Sequence, residues 1–160
     1  MACFAKAISQ DDEDALALID QAYAEKYTVE PLIQRSSLSF FERTGHAFTA
    51  LNMGEVVGYV FAQAIFNGTR PTVLVSRLAV KEDNGDNNDS GDNNDSVAKE
   101  ARAVLVEAIT KSAYDAAVYD LLVLLPEADT AAQQAFVKNQ YDEGRLTALV
   151  RALGSRGQPT

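Results

Sequence analysis

A chain of 160 residues with 47% hydrophobic residues has the size and apolar content of one globular domain with a single core. Acids outnumber bases 23 to 14 for a net charge of −9, which excludes the basic face that a nucleic-acid phosphate backbone requires. The charge is local. Residues 82–96 read EDNGDNNDSGDNNDS, with six acids and no base, and outside them 17 acids face 14 bases. Cys3 is the only cysteine, so no intramolecular disulfide forms and a reducing compartment is expected. The N-terminal segment lacks an apolar signal region and no apolar run reaches the ~20 residues of a membrane span, so the expectation is a cytoplasmic protein without a membrane partner.

Taken in chain order, Phe4 to Ile8 predicts a first strand, and Ser9 caps a helix whose first turn is loaded with Asp11, Asp12, Glu13 and Asp14. Leu16, Ile19, Ala22 and Tyr23 recur at helical spacing. A second helix is expected from Pro31 to Gly45. His46 to Leu51, Glu55 to Phe66 and Thr72 to Val80 predict three antiparallel strands, divided by Asn52-Met53-Gly54 and Asn67-Gly68. After the acidic stretch, Val97 to Tyr114 predicts the longest helix, and the apolar run Val118 to Leu125 a central strand covered on both faces. Pro126 to Lys138 predicts a last helix, and Arg145 to Leu153 a closing strand. The order is β-α-α-β-β-β-α-β-α-β, a mixed α/β fold in one domain spanning residues 1–160.

The repeat within 86–96 (DNNDS, Gly91, DNNDS) reads as a solvated insertion, with a second reading as a calcium loop. Asp86, Asn88, Ser90 and Gly91 occupy the first ligand positions and the turn of that pattern, but Asn93 and Val97 replace the apolar residue and the bidentate glutamate that complete it. His46 is the only histidine and shows no partner in the sequence, so a structural role is expected. Cys3 reads as a small buried hydrophobe. Arg77, on an otherwise apolar strand, requires a carboxylate partner or an anionic ligand.

Several strings resemble the GNAT superfamily of acyl-CoA-dependent N-acetyltransferases. AKAISQDDEDALALIDQAY (5–23) is similar to the opening strand and helix of that family, and GEVVGYVFAQAIF (54–66) with TVLVSRLAV (72–80) to its central hairpin and fourth strand. FFERTGHAF, TVLVSR, KSAYDAAVYD and LGSRG most resemble a small bacterial group of GNAT-like proteins of unassigned function. The resemblance implies a GNAT-like fold and acetyl-CoA or CoA as cofactor. It implies that Leu78, Ala79 and Val80 hold the pantetheine arm at the fourth strand's end, and that Ser96, Val97 and Ala98 open the phosphate-facing helix.

Two family hallmarks differ here. No Arg/Gln-x-x-Gly-x-Gly/Ala loop precedes Val97, where the chain has Asn93-Asn94-Asp95-Ser96 with Asp95 and Ser96 as expected caps, and Phe136 stands where the family's acid tyrosine falls. Tyr141, and after it Tyr119, are the replacement candidates. Two functions are therefore expected as alternatives: acetyl transfer to a small-molecule or protein amine, or a GNAT-shaped binding module without catalysis. A homodimer through strand exchange or C-terminal strand pairing is a further expectation.

Overall fold

The computed structural model describes residues 2–66, 68–82 and 91–154, with the backbone alone for 91–96. Its elements are β1 (Cys3–Ala7), α1 (Glu13–Tyr27), α2 (Arg35–Thr44), β2 (Phe48–Asn52), β3 (Glu55–Phe66), β4 (Pro71–Val80), α3 (Gly91–Asp115), β5 (Leu121–Val123) and α4 (Thr130–Lys138). The five strands form one sheet in the order β1-β2-β3-β4-β5. The first four are antiparallel neighbours, and β5 joins β4 in parallel. Among the described residues no helix is long and apolar enough to cross a membrane.

Helices cover both faces of the sheet. One core joins Val60, Ala62, Val73, Val75 and Leu78 to Leu105, Val106 and Ile109 of α3 and Phe136 of α4. The other joins Tyr59, Phe61 and Ala79 to Leu16 and Ile19 of α1 and Leu38 of α2. Each fully buried Leu, Ile, Val or Phe contributes about 1.5–3 kcal/mol over its exposed state. Ser9 accepts the Asp11 N–H at 3.1 Å and so caps a short 3-10 turn (Gln10–Asp12) that leads into α1, whose own N-cap position is Asp12.

Four boundaries differ from the sequence reading. Residues 28–34 are a loop rather than the start of a helix at Pro31, because the Asp20 carboxylate takes the Leu32 and Ile33 N–H groups. α4 begins at Thr130, where Asp129 accepts the Ala132 N–H at 3.1 Å, rather than at Pro126. α3 begins at Gly91, six residues before Val97, so 92–96 are inside the helix and Asp95 and Ser96 are not its caps.

The fourth difference is larger. Arg145 to Leu153 forms no strand, and β5 is therefore an edge strand rather than a central one, with Leu122 and Leu124 partly exposed. A strand requires a neighbour to satisfy its backbone, and among the described residues this segment pairs with no strand.

Candidate functional site

The site is built on β4. Its pairing with β3 shifts between Phe61 and Ala62, which oppose Arg77 and Val75 and leave Ser76 as an extra residue. This is a β-bulge, and it reverses the alternation of the strand. Val73 and Val75 face α3 before it, and Leu78 and Val80 face α3 after it. Arg77 and Ala79 are thereby turned toward α1 and α2.

The bulge also reverses the backbone. Val73 and Val75 bond to β5 through Asp120 O and the Leu124 N–H, at 2.9 and 3.0 Å. Past the bulge, the Lys81 N–H bonds to Val57 O of β3 at 2.7 Å. Strand alternation then directs the polar backbone groups of Leu78 and Val80 to the β5 side. β5 pairs with β4 only over Val73–Val75, so the two strands part at the level of the bulge. The result is a strand end, at Leu78 to Val80, whose backbone donors and acceptors on the β5 side have no paired strand among the described residues.

Arg77 finds its partner in Asp20, on α1. One Asp20 oxygen accepts Arg77 Nη1 at 2.8 Å and the Tyr59 hydroxyl, and the other accepts the Leu32 and Ile33 N–H groups at 2.6 and 2.9 Å. Arg77 Nη1 also donates to Glu30 O at 2.8 Å, and the guanidinium lies over the Tyr23 ring, 5.0 Å from its centroid. Asp20 is 1% exposed and Arg77 7%. Burial first, and then the Asp20 charge, push the Tyr59 hydroxyl above its ordinary pKa, so it stays a donor. Arg77 is thus committed to a structural carboxylate that ties α1, loop 28–34 and β4 together.

Beyond Val80 the charges pair closely. Glu82 bonds both Lys26 of α1 and Arg102 of α3, while Lys81 pairs with Glu55 at 2.8 Å. Burial pushes the Glu82 carboxyl upward, but the hydrogen bonds from Lys26 and Arg102 together outweigh it and hold the group ionised below its usual range. A cleft of about 670 Å³ runs between α1 and the ends of β3 and β4, lined by Leu18, Ala22, Tyr27, Val56, Val80 and Glu82. Gly58 opposes Val80, and a Cβ there would stand 2.9 Å from Val80 Cγ1 and 3.0 Å from Ala79 O.

Leu78, Ala79 and Val80 sit together at this strand end, and Val97 and Ala98 lie in the second turn of α3. Ser96 is in α3, with its side chain outside the described residues, as are Asp86, Asn88 and Ser90 of the calcium reading altogether. Among the described residues no group of three His, Cys, Asp or Glu side chains is placed to hold a metal.

Tyr141 stands elsewhere. Its hydroxyl bonds Thr110 Oγ1 at 2.7 Å, and its ring packs edge-on against Phe136. Thr110 lies thirteen residues beyond Val97, roughly 20 Å along α3 at the helical rise. Phe136 is a buried core residue, 3% exposed. Tyr119 is exposed and packs on Tyr114. Cys3 is buried, with its thiol raised by burial and by Glu100, and its N–H donates to Glu100 at 2.8 Å.

Sequence reasoning missed the partner of His46. Ser112 Oγ lies 2.7 Å from His46 Nδ1 and donates its own proton to Gly45 O at 2.8 Å, so the ring donates and the serine accepts. That polarity fastens α3 to the α2–β2 turn and does not activate the serine. The two residues are 66 apart in the chain, and no local pattern joins them. The bulge did carry a signal: in strict alternation Arg77 would share a face with Val73 and Val75, a placement its charge forbids.

A mixed sheet with a bulged fourth strand that parts from the fifth, helices on both faces, defines the GNAT fold. The chain overlays a ribosomal-protein-alanine N-acetyltransferase from Brucella melitensis biovar Abortus 2308 with TM-score 0.63 and 15% identity, covering 96% of this chain and 100% of that one. An aminoglycoside acetyltransferase (meta-AAC0020) from an uncultured soil metagenomic sample matches with TM-score 0.64 and 14% identity, over 95% and 97%. At such identities the likeness shows the fold. TTHA1254 from Thermus thermophilus is nearer, at 30% identity and TM-score 0.74, covering 95% of this chain and 98% of that one. The sequence matches the family DUF1999, described as a protein of unknown function, over residues 6–159, and the chain belongs to that family. No curated protein matches it.

Proposed function

We propose that the protein is an acyl-CoA-dependent N-acyltransferase that holds the pantetheine arm of its cofactor against β4 at Leu78 to Val80. The observation that carries this reading is the bulge at Ser76. It turns the polar backbone groups of Leu78 and Val80 toward an opening where β5 no longer pairs, and an amide-bearing arm can extend the sheet there as a strand would. The cofactor supplies the activated acyl group. An acceptor amine, small-molecule or protein-borne, attacks the thioester carbonyl carbon, the C–S bond breaks, and the thiolate leaves with the proton released by the amine. The chain's contribution is to orient the thioester along the strand.

A second reading, a GNAT-shaped binding module without catalysis, is favoured by specific contacts. Glu82 occupies Lys26 and Arg102, cations that flank the end of β4. Phe136 is sealed in the core, and the Tyr141 hydroxyl is engaged by Thr110. Thiol release from acetyl-CoA over a panel of primary amines distinguishes the two. Amine-dependent release supports the transferase, and a protein that binds acetyl-CoA yet releases no thiol above the buffer rate is the module.

A further inference from the structure

The sheet stops at β5. Asp120 O and the Leu124 N–H face β4, so alternation along β5 sends the backbone groups of Leu121 and Val123 outward. Among the described residues no strand takes that outer edge. Leu122 and Leu124, at 38% and 46% exposure, flank it. An open apolar edge of this kind is a template for another strand.

The same chain carries an unpaired segment suited to it. Residues 145–153 read RLTALVRAL and adopt no regular structure, and Leu146, Leu149, Val150 and Leu153 are 84, 92, 92 and 74% exposed. The chain is held at Tyr141, through Thr110 and the Phe136 carbonyl, and projects from there into solvent. Four large apolar side chains on one short segment form a patch that folding within the protomer leaves uncovered.

We propose that residues 145–153 of one copy add as an antiparallel strand to the outer edge of β5 in a second copy, and that the exchange is reciprocal in a two-fold dimer. The two surfaces complement each other in register. With Leu149 opposite Leu122, Val150 meets Leu121 and Ala148 meets Val123. Arg151 then falls opposite Asp120, where it would join the existing Arg70–Asp120 pair (2.8 Å), and Arg145 lies within one residue of Glu127. The segment 145–153 carries two bases and no acid, while β5 is flanked by these two acids. Reciprocal use of one patch by both copies closes the assembly and leaves no further open edge at β5. Because β5 is the neighbour of β4 in the sheet, the partner's strand lies ~4.8 Å beyond β5, two strand-spacings from the strand that carries Leu78 and Val80.

Light scattering behind size-exclusion chromatography tests this on the full chain. The wild type is expected at twice the 17.3 kDa chain mass, and the Leu149→Asp/Val150→Asp double variant at the single mass with its helical far-UV signal retained. Met53→Asp, on the exposed β2–β3 turn, is expected to leave the dimer intact. Leu122 donates toward β4, so it forms a non-hydrogen-bonded pair with Leu149, a Cα separation of about 4.5 Å that suits a disulfide. In a Cys3→Ala background, mixing Leu122→Cys protein with Leu149→Cys protein is expected to give a covalent dimer on mild oxidation. A wild type at the single mass overturns the proposal, as does a dimer that survives both aspartates. A Leu122→Cys/Leu149→Cys chain that closes its disulfide internally overturns it too, even if the aspartate variant fails to fold.

Discussion

Replacing Asp20 by alanine removes the acceptor for four hydrogen bonds at once: those from Arg77, Tyr59, and the Leu32 and Ile33 amides. Arg77 and Tyr59 are 7% and 0% exposed, so neither regains water without the structure opening. Removing one partner of a buried ion pair costs about 3–5 kcal/mol. Each backbone N–H left without a partner adds about 1–3 kcal/mol, reduced wherever water enters the vacated space. A loss of roughly 4–6 kcal/mol is expected, a large share of the roughly 5–15 kcal/mol that holds a domain folded. At about 2–4 °C per kcal/mol for a chain of this size, the melting temperature falls by roughly 10–20 °C. Urea denaturation followed by far-UV circular dichroism measures it, in a double-mutant cycle with Arg77→Met. If the two residues act as a pair, the double variant loses at least ~2 kcal/mol less than the sum of the singles. A loss below ~1 kcal/mol for Asp20→Ala, or strict additivity, would refute the view that this carboxylate ties α1 and the 28–34 loop to β4.

Three further outcomes follow from contacts around the strand end and the opposite helix. Gly58→Ala places a methyl against Val80 Cγ1 and the Ala79 carbonyl, so it should cost about 1–3 kcal/mol in urea melts and weaken acetyl-CoA binding; a neutral substitution would mean that this contact does not set the path of β4. Glu82→Gln releases Lys26 and Arg102, and since a charge pair at this range is worth on the order of 1 kcal/mol in water, acetyl-CoA affinity should rise about three- to tenfold in titration. An unchanged or weaker affinity would place the cofactor's phosphates elsewhere. His46 has its pKa lowered by burial, so the folded state resists the proton that the unfolded chain accepts. Its contribution to stability is present above the unfolded value near 6.5 and declines as pH falls below it. His46→Gln should therefore flatten the stability profile between about pH 7 and pH 5, read from urea midpoints, and an identical acid slope in both proteins would exclude this residue as its source.

Much of the fold was legible where local pattern and tertiary packing agree. Alternation and the turn at Asn52–Gly54 placed β2, β3 and β4, while the expected turn at Asn67-Gly68 includes Asn67, outside the described residues, and the leucine and isoleucine spacing placed α1. The reading failed where a distant group overrides the local preference. Pro31 could start a helix, but Asp20 takes the amides of Leu32 and Ile33. Val118 to Leu125 has the apolar content of a central strand, yet among the described residues no strand takes its outer side, which leaves β5 at the edge. That Leu78 to Val80 close the fourth strand was legible. Its geometry was not, because a bulge is one extra residue in a register that only the paired strand defines. The ion pairs of Glu82 were equally hidden, since Lys26 lies 56 residues away and Arg102 twenty.

The central claim is that the parted end of β4 binds acyl-CoA, and isothermal titration of the purified protein with acetyl-CoA and with free coenzyme A, in calcium-free buffer, tests it most directly. Micromolar binding of acetyl-CoA that weakens in Gly58→Ala is the predicted result. No heat of binding up to millimolar ligand would contradict the claim and leave the strand end without its proposed occupant.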